Sequence, residues 1–250
     1  QAAKARKQAQ REAKRAERAL EKAERKAQIA AEKQQRVRQY EEKTRLRRAR
    51  QQDFKRRMRR AQELHAEGER YKAQRDYANA VRCFSQAAEI GSAPSMVQMG
   101  LAYINGWLGE KDAEKAFYWN SRAAKAGDID GINNLAICYA DGEGVAADPE
   151  RAMRLYRQAA RDGYAIAQHN LGCEYRKGRI TKRNLKQAVV WYKRAAAQGI
   201  YQSDYWLGII YEYRSEPDKA VRHMRRAAKR NYADAIEWLR QHGLSSSDSS

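Results

Sequence analysis

Proline is nearly missing from this chain: three residues in 250, none before Pro94. Glycine is absent from the first 67 residues as well. Without either breaker, that stretch has no turn chemistry, and helix is the regular structure left to it. Cysteine is scarce and odd in number, with Cys83, Cys138 and Cys173 at spacings that suggest no pairing. That excludes a disulfide framework and favours a reducing intracellular compartment, cytoplasm or organelle interior. No run of 18 apolar residues occurs, so an ordinary transmembrane helix is excluded. The sequence contains no phosphate loop, dinucleotide fingerprint, paired CxxC or HExxH, so no cofactor is expected and no catalytic constellation is visible. The first residue is Gln1, not Met, which reads as a fragment or a processed product.

Acidic residues are also in deficit: 31 Asp and Glu face 51 Lys and Arg, a net +20. The imbalance is local. Residues 1–60 hold 23 Lys and Arg against 8 acids, or +15, and residues 61–250 hold the remaining 28 against 23, or +5. Charge of this kind attracts nucleic acid, anionic lipid or acidic protein without choosing among them. Residues 1–60 are almost wholly Ala, Lys, Arg, Glu and Gln, strong helix formers that bury little. One stripe, Ala13, Ala16, Leu20, Ala23, Ala27 and Ala30, follows the 3,4 spacing of a coiled-coil seam, but alanine makes it shallow. Glu21–Arg25 and Glu41–Arg45 have the i,i+4 spacing of helix-supporting pairs. The expectation is a long, solvated, basic helix. Its cations concentrate in Arg45, Arg47, Arg48, Arg50, Lys55, Arg56, Arg57, Arg59 and Arg60, the candidate site for an anionic partner.

After residue 60 a period of 36 takes over. Gly91, Gly127, Gly163 and Gly199 are each 36 apart, as are Tyr103, Tyr139, Tyr175 and Tyr211. Ala-Ala pairs at 87, 123, 159 and 195 keep the register, and Ala227-Ala228 follows after a loop shortened by four. Such a period means stacked supersecondary units. Each unit reads as two helices. Helix B carries Ala152, Leu155, Tyr156, Ala159 and Ala160, the stripe of a one-sided buried helix. Helix A carries a small residue followed three positions later by the tyrosine, which predicts close approach of a second helix. Between them, "DGEGVAADPE" supplies turn glycines Gly142 and Gly144, then Asp148 as N-cap, Pro149 and Glu150. "SEPDKA" at 215–220 repeats the device, and Asp112 and Asn184 take the cap position of Asp148.

The pattern L-G/A-x-x-Y-x-x-G-x-G-V-x-x-D-x-x-x-A-x-x-x-Y-x-x-A-A-x-x-G, nearly complete from Leu135 to Gly163, resembles the Sel-one-like repeat (SLR), a relative of the tetratricopeptide repeat (TPR). Units at 93–127 and 165–199 match but replace the second glycine by Leu108 and Ile180. The first, from about 61, looks more like a TPR through Leu64, Gly68, Tyr71, Ala80, Phe84 and Ala87. The resemblance implies an all-α fold, a right-handed α-solenoid of helix-turn-helix repeats over 61–243, preceded by the unrelated basic helix 1–60 and followed by a disordered Ser/Asp tail, 244–250. It further implies helices A on the concave side, and a role in holding other proteins, usually without enzymatic activity.

Three constellations invite chemistry. "DGEGVAADPE" is acidic enough for a calcium loop, but lacks the alternating ligands, and turn plus cap accounts for every residue. His169 and Cys173 share a helix face and suit a metal or a nucleophile–base pair, yet no further ligand or oxyanion device accompanies them. His65, His223 and His242 read as solvated. No metal site is expected. The more promising surface is the part of helix A that the core does not use. Val97, Asn133, His169 and Tyr205 lie two residues before the core Leu or Met of each unit. Leu101, Ile137, Cys173 and Ile209 lie two after it, and Asn105, Asp141, Lys177 and Tyr213 lie one turn further. This set suits an extended peptide or a partner helix. The reading is a non-enzymatic scaffold, part of a larger complex, that binds a protein through the solenoid and docks through the basic helix. The alternative is a nucleic-acid-associated or ribonucleoprotein component that binds RNA through residues 1–60.

Overall fold

The structure is a computed structural model that describes the backbone of residues 2–245 and the side chains of residues 14–245. Ala13 and the tail residues 246–250 lie outside the side chains so described. Among the described residues there are eleven helices and no strand. None of the helices is long and apolar enough to cross a membrane. The chain divides into two compact units, one ending at Arg59 and one beginning at Arg60.

Helix α1 (Ala2–Ala73) runs through the stretch without Gly or Pro, as its composition demands. No side chain from 14 to 57 is buried, and all but Thr44 are exposed, including Leu20, Tyr40 and Phe54. Helical propensity alone therefore holds this part together. The two ion pairs expected within it, Glu21–Arg25 and Glu41–Arg45, are not made. Both partners of each pair stand in solvent, where such a bond contributes only ~0.2–0.5 kcal/mol against side-chain entropy.

The second unit is an α-solenoid. Its B helices are α2 (Tyr77–Ile90), α4 (Ala113–Lys125), α6 (Pro149–Arg161), α8 (Leu185–Ala197) and α10 (Pro217–Ala228). Its A helices are the end of α1, then α3 (Ala93–Asn105), α5 (Ile129–Asp141), α7 (Ala165–Lys177), α9 (Tyr201–Tyr213) and α11 (Ala233–Gln241). Each A helix packs on its own B helix through a small residue facing a bulky one. A Cβ built at Gly68 would meet the Phe84 ring at 2.6 Å, and one at Gly172 would meet the Tyr192 ring at 2.8 Å. Asn120 and Met224 press on Gly100 and Gly208 in the same way. The missing side chain thus lets the axes approach, and the buried ring of Tyr192 or Phe84 fills the seam. Each later A helix also packs on the preceding B helix, whose Ala-Ala pair is buried in every unit except for the half-buried Ala124.

Two backbone bonds recur with the period. The N–H of each B-helix cap residue donates to the carbonyl of the repeat tyrosine: Asp76 to Tyr71 (2.9 Å), Asp112 to Tyr103 (3.1 Å), Asp148 to Tyr139 (2.8 Å), Asn184 to Tyr175 (2.7 Å) and Glu216 to Tyr211 (2.9 Å). At the other end the chain leaves each B helix through a left-handed residue, Gly91, Gly127, Gly163, Gly199 and finally Asn231. The following N–H returns to the first carbonyl of the Ala-Ala pair, as from Tyr164 to Ala159 at 3.0 Å. The side chains of Asp112, Asp148 and Asn184 cap their helices by accepting from the N–H three residues on. Glu216 stands at the same place but makes no side-chain cap bond.

Candidate functional site

An A helix in the stack has neighbours on two sides, its own and the preceding B helix on one and the adjacent A helices on the other. This decides which groove candidates face solvent. The column two residues before the core position lies in the A–A seam. Val97 and Asn133 are buried, which corrects their assignment to an open groove face. Asn133 Oδ1 accepts from Asn170 Nδ2 at 3.0 Å across that seam. His169 hydrogen-bonds the Ser203 hydroxyl at 2.8 Å, and His65, equivalent to it in the first unit, makes the same bond to Ser95 at 2.9 Å. Tyr205 is half-buried against Tyr232 and Trp206.

Leu101, Ile137, Cys173 and Ile209 form a half-exposed column, one residue per repeat. Asn105, Asp141, Lys177 and Tyr213 are exposed, Tyr213 by 73%. Asp141 is not free: Arg179, from the loop after α7, bridges it to the buried Glu174. The column that the sequence reading missed lies one residue after the seam: Gln98, Asn134, Asn170 and Trp206, all half-exposed. Its signal was three amides in a 36-residue register, hidden by the assumption that helix A buries a single face. Arg176 stacks on Trp206 with its guanidinium 3.7 Å from the ring centre.

The chemistry that the spacing of His169 and Cys173 invites, already lacking partners in the sequence, has little support in the geometry. Their Nε2 and Sγ are 3.5 Å apart, and the Tyr192 hydroxyl donates to the same sulfur at 3.3 Å. Burial pushes the thiol pKa up, and burial together with Arg176 and Lys177 lowers the imidazole to about 4. Both groups are therefore neutral at neutral pH, the opposite of an activated thiolate–imidazolium pair. Among the described residues no group of His, Cys, Asp or Glu is arranged to hold a metal ion. "DGEGVAADPE" is a turn and cap: Gly142 and Gly144 are left-handed, and the Asp148 carboxylate accepts from the Arg151 N–H at 2.9 Å. Of the other histidines expected in solvent, only His242 is exposed, stacked on Trp238; His65 is half-buried, and His223 sits 2.8 Å from the buried Asp204 carboxylate. Their partners come from other helices or another turn, which sequence proximity does not show.

The repeat tyrosines are half-buried or, at Tyr211, buried, and cations lie over them: Lys115 over Tyr103, Arg151 over Tyr139 and Lys219 over Tyr211, each 5.4 Å from the ring centre. That occupies the faces a stacking platform would offer to bases. The cations of α1 proposed for an anionic partner, Arg45 to Arg60, are exposed. Arg45, Arg47, Arg48, Arg50, Lys55, Arg56 and Arg57 have no carboxylate within ion-pair distance among the described residues.

Comparison with known proteins gives a single family. The model of the Sel1 repeat matches residues 58–92, 93–128, 129–164, 165–200, 202–232 and 228–241. Among solved structures, a Sel1 repeat protein from Oxalobacter formigenes is 27% identical, over 67% of this chain and 70% of its own, with a TM-score of 0.62. A protein of Klebsiella pneumoniae subsp. pneumoniae described as a sel1 repeat protein is 20% identical, over 72% of this chain and 92% of its own, with a TM-score of 0.55. A protective antigen of uropathogenic Escherichia coli with an SLR fold is 27% identical over 75% of this chain, which spans 51% of the antigen, with a TM-score of 0.41. No curated protein matches the chain in sequence. The six matched segments cover the solenoid from end to end, and the chain belongs to the Sel1 repeat family.

Proposed function

We propose that the protein is a non-enzymatic scaffold: the A-helix face of the solenoid holds a protein partner, and the basic helix docks the molecule to a larger assembly. Sel1 repeats in general mediate protein–protein interaction. The observation that carries the finer reading is the half-exposed column Leu101, Ile137, Cys173 and Ile209 beside the amides Gln98, Asn134 and Asn170. Apolar and amide side chains at one residue per repeat offer shallow contact plus hydrogen bonds, which suits an extended peptide or a helix laid across the stack. Docking through α1 is supported by Arg45, Arg47, Arg48, Arg50, Lys55, Arg56 and Arg57, which are exposed and have no carboxylate within ion-pair distance among the described residues, and so are available to an acidic protein or to RNA.

The test is capture of partners by the full chain from its native extract, with Ile137→Glu and Asn134→Lys compared to the unaltered protein. Both positions are only half-buried, so the fold is retained by circular dichroism while the captured protein is lost. A partner retained equally by both variants would refute the assignment of the face.

A further inference from the structure

The 36-residue register also sorts charge. B helices α4, α6, α8 and α10 carry fourteen Lys and Arg against three acids, Glu114, Glu150 and Asp218, a balance of +11. A helices α5, α7, α9 and α11 carry Arg176, Lys177 and Arg240 against seven acids, a balance of −4. The modest +5 of the solenoid hides this division. We propose that the solvent face of the B helices is a nucleic-acid-binding surface that grips the sugar-phosphate backbone and acts without the cations of α1. This goes beyond the scaffold reading, which concerns the A helices.

Repeat equivalence puts the cations on one side: Arg157, Lys193 and Arg225 occupy one column, and Arg154 and Arg222 another. Arg161, Lys193, Arg194, Arg222 and Arg230 are exposed, and none has a carboxylate within ion-pair distance among the described residues. Like charges left together without acids raise the local potential and favour a polyanion. Arginine predominates, and its planar fork matches phosphate oxygens in a way an ammonium does not. A lipid surface fits less well: among the exposed large apolar side chains, only Tyr118 and Val190 lie on these four helices, too few to form an inserting face. Exposed aromatic surface for base stacking on these helices is limited to Tyr118, over which Arg122 lies 5.6 Å from the ring centre. Trp119 and Trp191 are buried, and Arg122 and Arg194 lie over them at 4.7 and 4.6 Å. Binding through phosphates alone is indifferent to sequence and takes a duplex as readily as a single strand.

The probe is a fluorescent DNA duplex of about 25 base pairs, titrated by anisotropy with the full chain from about 50 to 200 mM salt. The nine cations from Arg45 to Arg60 are first changed to Gln, and salt-dependent binding persists. Adding R161Q, K193Q, R194Q, R222Q and R230Q then lowers the slope of log K against log salt by up to about 4.5, at roughly 0.9 per phosphate contact. Lysine at the four arginine positions restores the slope. On the unaltered chain, where folding is not in question, the duplex shields Lys193 from acetylation. Loss of all duplex binding with the α1 changes alone would overturn the proposal. So would an unchanged slope in the five-site variant, equal acetylation with and without duplex, or tighter binding of phosphatidylserine vesicles or polyglutamate through the same five residues.

Discussion

Gly144 offers the sharpest test of how the repeats lock together. It lies in the loop between α5 and α6 at φ +70°, and a Cβ there would stand 2.0 Å from the carbonyl oxygen of Ala113 and 2.4 Å from its carbon. Gly142, two residues earlier, has nearly the same backbone at φ +73°, but its Cβ would meet nothing closer than 3.5 Å. The pair therefore separates two costs. Gly142→Ala bears only the left-handed conformation, about 1 kcal/mol. Gly144→Ala bears that and the displacement of backbone at the first residue of α4, which at the usual cost of overpacking adds about 1–3 kcal/mol. A change of 1 kcal/mol moves the melting temperature of a domain this size by about 2–4 °C, so we expect about 2–4 °C for Gly142→Ala and roughly twice to four times that for Gly144→Ala. All five tryptophans, from Trp107 to Trp238, lie in the solenoid, so their fluorescence follows its melting without interference from the basic helix. Equal losses in the two variants, or a smaller one at Gly144, would refute the idea that this loop is seated on the preceding repeat.

Asp148→Ala removes the cap bond to the Arg151 N–H and should cost about 1 kcal/mol, whereas Glu216→Ala, with no cap bond to lose, should cost far less by the same fluorescence melt. The pH dependence follows from His169. Its pKa is held at about 4 against an ordinary 6.5, so as pH falls the unfolded chain takes up the proton first. Its contribution is complete above pH 6.5 and is lost between there and about pH 4. His169→Gln should reduce the slope of melting temperature against pH across that window, while His65, whose pKa burial also lowers, still contributes to it. An unchanged slope would contradict the buried, neutral imidazole.

The repeat was readable because its period is written in residues that each do one local job. Asp148 and Asn184 cap and Gly163 turns within a few residues of their own position, and Ala159-Ala160 packs on the helix that follows next in the chain. What the sequence hid depends on contacts between units. Asn133 reads as an exposed amide until α7 brings Asn170 to it. His223 reads as solitary until α9 presents Asp204. The family resemblance located both helices of each unit but said nothing of the seam between successive A helices, and the error of one residue in the groove came from there. The uneven charge was misread for the same reason: residues 61–250 look almost balanced as a string, and only folding separates acidic A helices from basic B helices.

The recurrent bond from the cap N–H to the tyrosine carbonyl has a consequence for how such chains can change. It closes a span of five residues from Tyr71 to Asp76 and from Tyr211 to Glu216, and of nine from Tyr103 to Asp112, Tyr139 to Asp148 and Tyr175 to Asn184. The helices on either side keep their register whichever span is closed. Loop length and the spacing of the stack are thus uncoupled, so insertions and deletions between helices A and B leave the binding faces where they are. The array can acquire new surface at these clasps without being rebuilt.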